Sequence, residues 1–213
     1  MKELKEWLKE KQVERTIKAL QGNGFQVRYF PEKSQAREYI LSQIPQHATV
    51  GIGGSLTLGE IGLFEGLRNL QINLINPSSK KLSREEAYNL RRQALTADIF
   101  LTGSNALTED GHIYNIDASG NRVGAMFFGP KKVFVVAGTN KIVKDVTDAR
   151  RRIKEIAAPM NARRLGYKTP CVELGQCVEC KPPESMCNVT VIIEKKPRST
   201  DIEIVLIGES LGL

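Results

Sequence analysis

Four cysteines, Cys171, Cys177, Cys180 and Cys187, follow one another with the spacing C-x5-C-x2-C-x6-C, and the chain has no others. Thiolates are soft ligands, and four of them in one short stretch suit an iron–sulfur cluster or zinc. The central C-x-x-C is a compact bidentate hook. Gly175, Pro182 and Pro183 bend the chain between the candidate ligands. The spacing is neither the paired C-x-x-C of a zinc ribbon nor the bacterial ferredoxin run. An iron–sulfur cluster is therefore expected ahead of zinc. Free thiols, or a reversible disulfide between Cys177 and Cys180, are the alternative.

A second kind of chemistry is written into VGIGGSLTLGE, from Val50 to Glu60. Glycines at Gly53 and Gly54 stand where a strand hands over to a helix, with hydroxyls at Ser55 and Thr57. Glycine permits positive φ and close backbone approach. Free N–H groups at a helix start favour an anion. The run lacks the G-x-G-x-x-G of dinucleotide sites, and no G-K-[ST] follows, so it is no P-loop. The plainer reading is a tight turn with an ordinary Ser or Thr cap.

The third stretch runs from Thr102 to Gly111 and on to Asn121. It is too polar for core and too rich in glycine for helix. Ligands in open α/β sheets bind beyond the carboxyl ends of strands, which puts this loop and the Gly53 turn on one edge. Gly103, Asn105 and Asn115 are candidate contacts for a carbonyl or carboxylate. Glu109 and Asp117 are candidate acid–base groups, with Lys132 as a third residue for a catalytic reading. Asp110-Gly111 reads better as a hairpin turn, and His112 as a surface turn residue.

The elements that must position these groups alternate. Helices are expected over residues 3–21, 34–44, 56–70 and 83–97, the last with Ser83 and Glu86 as a capping box. Strands are expected over 25–30, 48–52, 72–75 and 98–102. This β-α-β alternation argues for an α/β fold with a mostly parallel sheet covered by helices. Farther on, residues 113–116 and 122–128 read as short strands and 132–137 as an apolar one. Residues 145–158 read as a helix, with strands at 189–194 and 202–207.

The chain of 213 residues is expected to form one domain, with 169–188 as a cysteine-rich metal-binding segment inside it. Net charge is +7, but the basic residues are mixed with Glu along helices, and aromatics make up 6% without interleaving. No nucleic-acid platform is expected. Arg150-Arg151-Arg152 reads as a solvated cluster. No apolar run reaches the ~20 residues of a membrane span. The first residues lack a signal-peptide pattern, so a cytoplasmic location is expected.

VGIGGSLTLGEIGL, ADIFLTGSNALTEDGHIYNIDASGNRVGAMFFGPKKVFVVAGTNKIV and TPCVELGQCVECKPPESMCN together resemble the lactate-utilisation (LUD) domain family over residues 5–207. The chain looks like the short, stand-alone subgroup with a C-terminal four-cysteine motif, without the ferredoxin-type region of the larger subunit. The resemblance implies a fold similar to ribose-5-phosphate isomerase, CoA-transferases and formyltetrahydrofolate cyclo-ligase. In those relatives the glycine-rich turn meets phosphate, carboxylate or CoA, which supports Gly53, Gly54, Ser55 and Thr57 as ligand contacts. It implies an accessory or electron-transfer role in oxidation of L-lactate or a related 2-hydroxy acid. The alternative is an isomerase or transferase acting on a phosphorylated or CoA-linked metabolite. Expected partners are a small anionic metabolite, other lactate-utilisation subunits and a second copy of the chain.

Overall fold

The computed structural model describes residues 1–78 and 82–213. Its frame is a six-stranded, all-parallel sheet. The strands are β1 (Gln26–Phe30), β2 (Thr49–Ile52), β3 (Asn73–Ile75), β4 (Ile99–Gly103), β7 (Lys132–Gly138) and β10 (Asp201–Ile207). They lie side by side in the order β1-β10-β7-β4-β2-β3. A second sheet joins β5 (Ala106–Thr108), β6 (Ile113–Asp117), β8 (Ile142–Val143) and β9 (Val189–Ile193) in the order β8-β5-β6-β9.

Period-two alternation along the central strands feeds two cores. From β7, Val133, Val135 and Ala137 enter one core while Phe134 and Val136 enter the other. From β10, Ile202, Ile204 and Leu206 face one way, and Val205 and Ile207 the other. The second core receives Ile40 of α2 (Lys33–Ser42), Leu58 of α3 (Leu56–Glu60), and Leu63 and Leu67 of α4 (Leu63–Arg68). The first receives Leu20 of α1 (Lys2–Gly22), together with Leu107, Ile113 and Ile193 of the small sheet. The other face of the small sheet gives Tyr114 and Ile116 to a third core. There they meet Ala149 of α7 (Val146–Arg152) and Ile153. Both faces of the main sheet are thus covered, as parallel strands require.

Local signals account for most boundaries. Ser83 and Glu86 form the capping box at the start of α5 (Arg84–Ala94), with bonds of 3.2 and 2.7 Å. Asp145 caps α7, accepting from Thr147 N and Asp148 N at 2.9 Å each. The helix continues beyond α7 through a π segment, Ile153–Ala157, into α8 (Ala158–Arg164).

Two expectations change. The helix expected over residues 56–70 is divided, because Gly62 takes the left-handed conformation at φ 71° and starts α4 afresh. Residues 122–128 are no strand; they form α6 (Asn121–Phe127). The Asp117 carboxylate accepts from the N–H groups of Arg122 and Val123 at 3.2 Å each, and this fixes the helical turn. The strands over 189–194 and 202–207 are adjacent in sequence but belong to different sheets. Among the described residues no helix is long and apolar enough to cross a membrane.

Candidate functional site

The carboxyl ends of β2, β4 and β7 meet in one place. Past β2, the chain turns through Gly53, Gly54 and Ser55. A Cβ on Gly53 would stand 2.8 Å from Thr102 Oγ1 and 3.0 Å from Arg122 Cγ. Gly53 is therefore required by close packing against the Arg122 stem. Among the described residues the nearest neighbour of a Cβ placed on Gly54 is Ser78 Oγ, at 3.8 Å. A Cβ on Gly103 would lie 2.7 Å from Ser55 Oγ, so the β2 turn and the end of β4 touch. Helix α3 has five residues, and Ser55 spends its hydroxyl on capping it, accepting from Leu58 N at 3.4 Å. Thr57 is buried.

The expected loop residues come together with Arg122 at their centre. Its Nη1 donates to Asn115 Oδ1 at 2.7 Å and to Gly103 O at 3.3 Å. Its Nη2 donates to Ile116 O at 3.0 Å and to Asn105 Oδ1 at 3.2 Å. Asn105 N donates to Asn115 Oδ1 at 2.9 Å, and Ser104 Oγ accepts from Asn115 Nδ2 at 3.3 Å. Every side-chain acceptor of this guanidinium is neutral. Burial lowers the pKa of Arg122, and the charge of Asp117 opposes that shift.

Two further cations join this network. Arg152 Nη1 donates to Asn105 O at 2.9 Å, and its Nε to Asn140 O at 3.2 Å; burial lowers its pKa as well. Lys141, from the turn after β7, is 4% exposed. Burial, with repulsion from Arg152 and Arg122 against attraction by Glu60, brings its pKa down to about 8. The Lys141 ammonium donates to the backbone oxygen of Leu213.

The candidate acid–base residues do not converge. Glu109 pairs with Arg15 at 2.9 Å and accepts from Gln12 Nε2 at 2.9 Å, tying β5 to α1. Lys132 is the first residue of β7, at the amino end of the sheet and opposite to the glycine turns. There it pairs with the buried Glu203 at 2.8 Å, beside Tyr39, whose hydroxyl donates to Glu203 at 2.5 Å. Asp117 stays near the network as the cap of α6 and the neighbour of Arg122. Asp110 and Gly111 lie in the turn of the β5–β6 hairpin, Gly111 at φ 89°. His112 leaves Nδ1 without a hydrogen bond and stands 3.5 Å from Asp110.

Sequence reasoning passed over Arg122, Lys141, Arg152 and Glu60. Arg122 was hidden in a mistaken strand. Arg152 is the inward-turned member of what read as a solvated trio; Arg150 and Arg151 are exposed. Lys141 did carry a signal: it follows the most apolar strand by a few residues, at the edge where ligands bind.

The four cysteines line one separate cavity of about 190 Å³, together with Lys154, Thr169 and Glu179. Cys171 lies on α9 (Pro170–Leu174), its thiol 3.2 Å from Thr169 Oγ1. Glu179 N donates to Cys177 Sγ at 3.4 Å, and Glu179 pairs with Arg150 at 2.8 Å. The pKa of Cys187 is raised, chiefly by burial and further by Cys177, Cys180 and Cys171; Lys154 opposes the shift. Among the described residues, no group of three or more His, Cys, Asp or Glu is drawn together tightly enough to hold a metal ion. The segment is linked to the polar network through Asn188, whose N donates to Asp117 O at 3.0 Å.

No curated protein matches the chain. A crystal structure of a DUF162 family protein from Deinococcus radiodurans is similar at a TM-score of 0.54 and 15% identity. The similarity covers 94% of this chain and 98% of that one, and at such identity it speaks for the fold. The LUD domain profile matches residues 13–207. The chain belongs to the LUD-domain family.

Proposed function

We propose that this LUD-domain protein is an accessory or electron-transfer component in the oxidation of L-lactate or a related 2-hydroxy acid. The observation that carries the reading is the convergence of all four cysteines on one cavity of about 190 Å³. Thiols that line a common space, rather than meeting at a point, fit a polynuclear group better than one tetrahedral ion. An iron–sulfur cluster bound there would supply reversible one-electron transfer. The chain's own part is to hold the ligands. Thr169 fixes the Cys171 thiol, and the Glu179 N–H steadies Cys177. Lys154 beside Cys187 favours the thiolate that ligation needs.

The pocket at the strand ends complements this role. Its cations, and the amides of Asn105 and Asn115, suit the carboxylate of a small acid. A reading as a stand-alone isomerase or transferase finds less support. Glu109 is tied to α1 and Lys132 to Glu203, so neither is free beside the pocket.

The test is metal and sulfide analysis of protein purified without oxygen, with its absorption spectrum. Iron and sulfide in comparable amounts, a broad band near ~400 nm, and their loss in a Cys177→Ser/Cys180→Ser variant are expected. Stoichiometric zinc, or colourless protein with four free thiols, would overturn the cluster.

A further inference from the structure

The cysteine cavity lies beside an exposed apolar face. α9, which carries Cys171, packs against α8, and Ala158 of α8 lines the cavity together with Val178. On the inner side of this helix Ala157, Ala158 and Ala162 are buried. On its outer side Ile156, Met160 and Arg164 recur at intervals of four and are exposed, with Arg163 beside them. Such spacing gathers them on one face. The chain continues through Leu165, Gly166, Tyr167 and Lys168, all exposed, and turns inward at Thr169 on the cavity wall. Leu174 ends α9 at 59% exposed, and Val178 stands on the wall at 47%.

Two properties set this face apart. Six large apolar side chains are exposed between Ile156 and Val178. Isolated exposed residues are ordinary, but a group of them rimmed by charge marks a contact with another protein. The charge is of one sign. Between Glu155 and Glu173 the chain carries Arg163, Arg164 and Lys168 and no carboxylate. Among the described residues none of these three enters an ion pair; Arg164 donates to Asn161 Oδ1, at 2.6 Å through Nη2. Glu179, on the cavity wall, is already neutralised by Arg150 at 2.8 Å.

We propose that the α8–α9 face is the docking surface of an acidic one-electron carrier protein. The partner's role as a carrier rests on the electron-transfer reading of the cysteine cavity; its acidity rests on the face alone. Electron-transfer encounters are small, burying under about 1,200 Å², and are steered by complementary charge. The face has both traits, a compact apolar centre and cations of one sign beside the thiols. The exchange it serves moves one electron between the carrier and the group held by the cysteines, and it neither makes nor breaks a bond. A second copy of the chain fits less well. A two-fold contact sets the same patch against itself, and so brings Arg163, Arg164 and Lys168 toward the same three cations.

Titration calorimetry of a plant-type ferredoxin, an acidic one-electron carrier, into the full chain purified without oxygen tests this. Parvalbumin, acidic but without a redox group, and basic cytochrome c serve as controls. Ferredoxin should bind, and its affinity should fall at least about tenfold between about 0.02 M and about 0.2 M salt. Arg163→Glu/Arg164→Glu should weaken binding at least about tenfold, and Leu165→Ser/Tyr167→Ser at least about threefold, with thermal melts like that of wild type. No ferredoxin binding at low salt, or equal binding by the charge-reversed variant, overturns the docking face. Parvalbumin or cytochrome c binding as tightly as ferredoxin overturns the partner class. So does tighter binding to phosphatidylserine vesicles, or a dimer in sedimentation that Leu165→Ser/Tyr167→Ser dissolves. Iron and sulfide are measured on the same samples. Iron-free protein that still binds ferredoxin removes the cluster and leaves the face; iron-loaded protein that binds none does the reverse.

Discussion

Arg122 Nη2 donates to Asn105 Oδ1 at 3.2 Å, and the backbone oxygen of that same asparagine takes Arg152 at 2.9 Å. Asn105 is thus the neutral post between two partly desolvated guanidinium groups. Asn105→Ala removes an acceptor from Arg122 and from Ile116 N, at a cost of about 1–3 kcal/mol. Asn105→Asp keeps the acceptor and adds a negative charge. It is expected to stabilise the fold while weakening carboxylate binding severalfold. Urea unfolding beside calorimetry separates the two; parallel losses in both variants would show that Asn105 serves the fold alone.

Lys141 makes the pocket sensitive to pH. The groups facing it are Arg152, Arg122 and Glu60, and its pKa is about 8 instead of the usual 10.5. A cation whose folded pKa is lowered loses its proton sooner in the folded state. Stability therefore rises as pH climbs from about 8 to about 10.5, while carboxylate affinity falls across pH 8. Lys141→Met should be more stable than wild type at pH 7, by roughly 3 kcal/mol at most, and its unfolding should lose this slope. A wild-type urea midpoint that falls between pH 8 and 9.5 while that of Lys141→Met stays level would contradict the assignment.

The two glycines of the β2 turn should respond differently. Gly53→Ala pushes a methyl against Thr102, Arg122 and Phe100, all within 3.0 Å. A cost of about 1–3 kcal/mol is expected, with weaker carboxylate binding as the Arg122 stem shifts. Gly54→Ala meets nothing closer than 3.8 Å among the described residues and should leave both within error. Thermal melts of the pair decide it.

Lys132 answers to Glu203, which is 1% exposed. Lys132→Met leaves that carboxylate with Tyr39 and the more distant Arg28, at 3.5 Å. Breaking a buried pair costs about 3–5 kcal/mol, less here because Tyr39 remains. Carboxylate affinity measured on the folded fraction should not change, since Lys132 stands at the opposite end of the sheet. A fall in affinity without a fall in stability would restore Lys132 to the pocket.

Much of this architecture could be read from residue order. The alternation up to β4 follows from apolar runs punctuated by Gly24, Pro31, Pro45 and Pro77, which are local signals. The Asp117–Val123 stretch misled because a carboxylate cap acting across five residues outweighed a β-rich composition; Arg122 went unnoticed with it. That the glycine turn, Asn105 and Asn115 share one edge was legible because polar loops at strand ends are few. Lys141 and Arg152 were not, since their burial depends on the fold of Asn140 and of residues 208–213, far away in sequence. The cysteine spacing announced a cluster of thiols. That the four thiols surround a volume became apparent only from the packing of α9 against α8.

The sheet order has a consequence for biosynthesis. β1 stands at the edge, and its neighbour is β10, with Gln26 opposite Glu203 and Phe30 opposite Ile207. During translation the segment that will become β1 emerges long before its partner. It cannot pair where it belongs until nearly the whole chain has left the ribosome. Assembly around β2, β4 and β7 can precede this, and α1 can already meet Glu109 of the β5–β6 hairpin, but Gln26–Phe30 must wait unpaired. In nascent chains stalled before residue 201, hydrogen exchange at Gln26–Phe30 should be fast, and it should slow once β10 emerges.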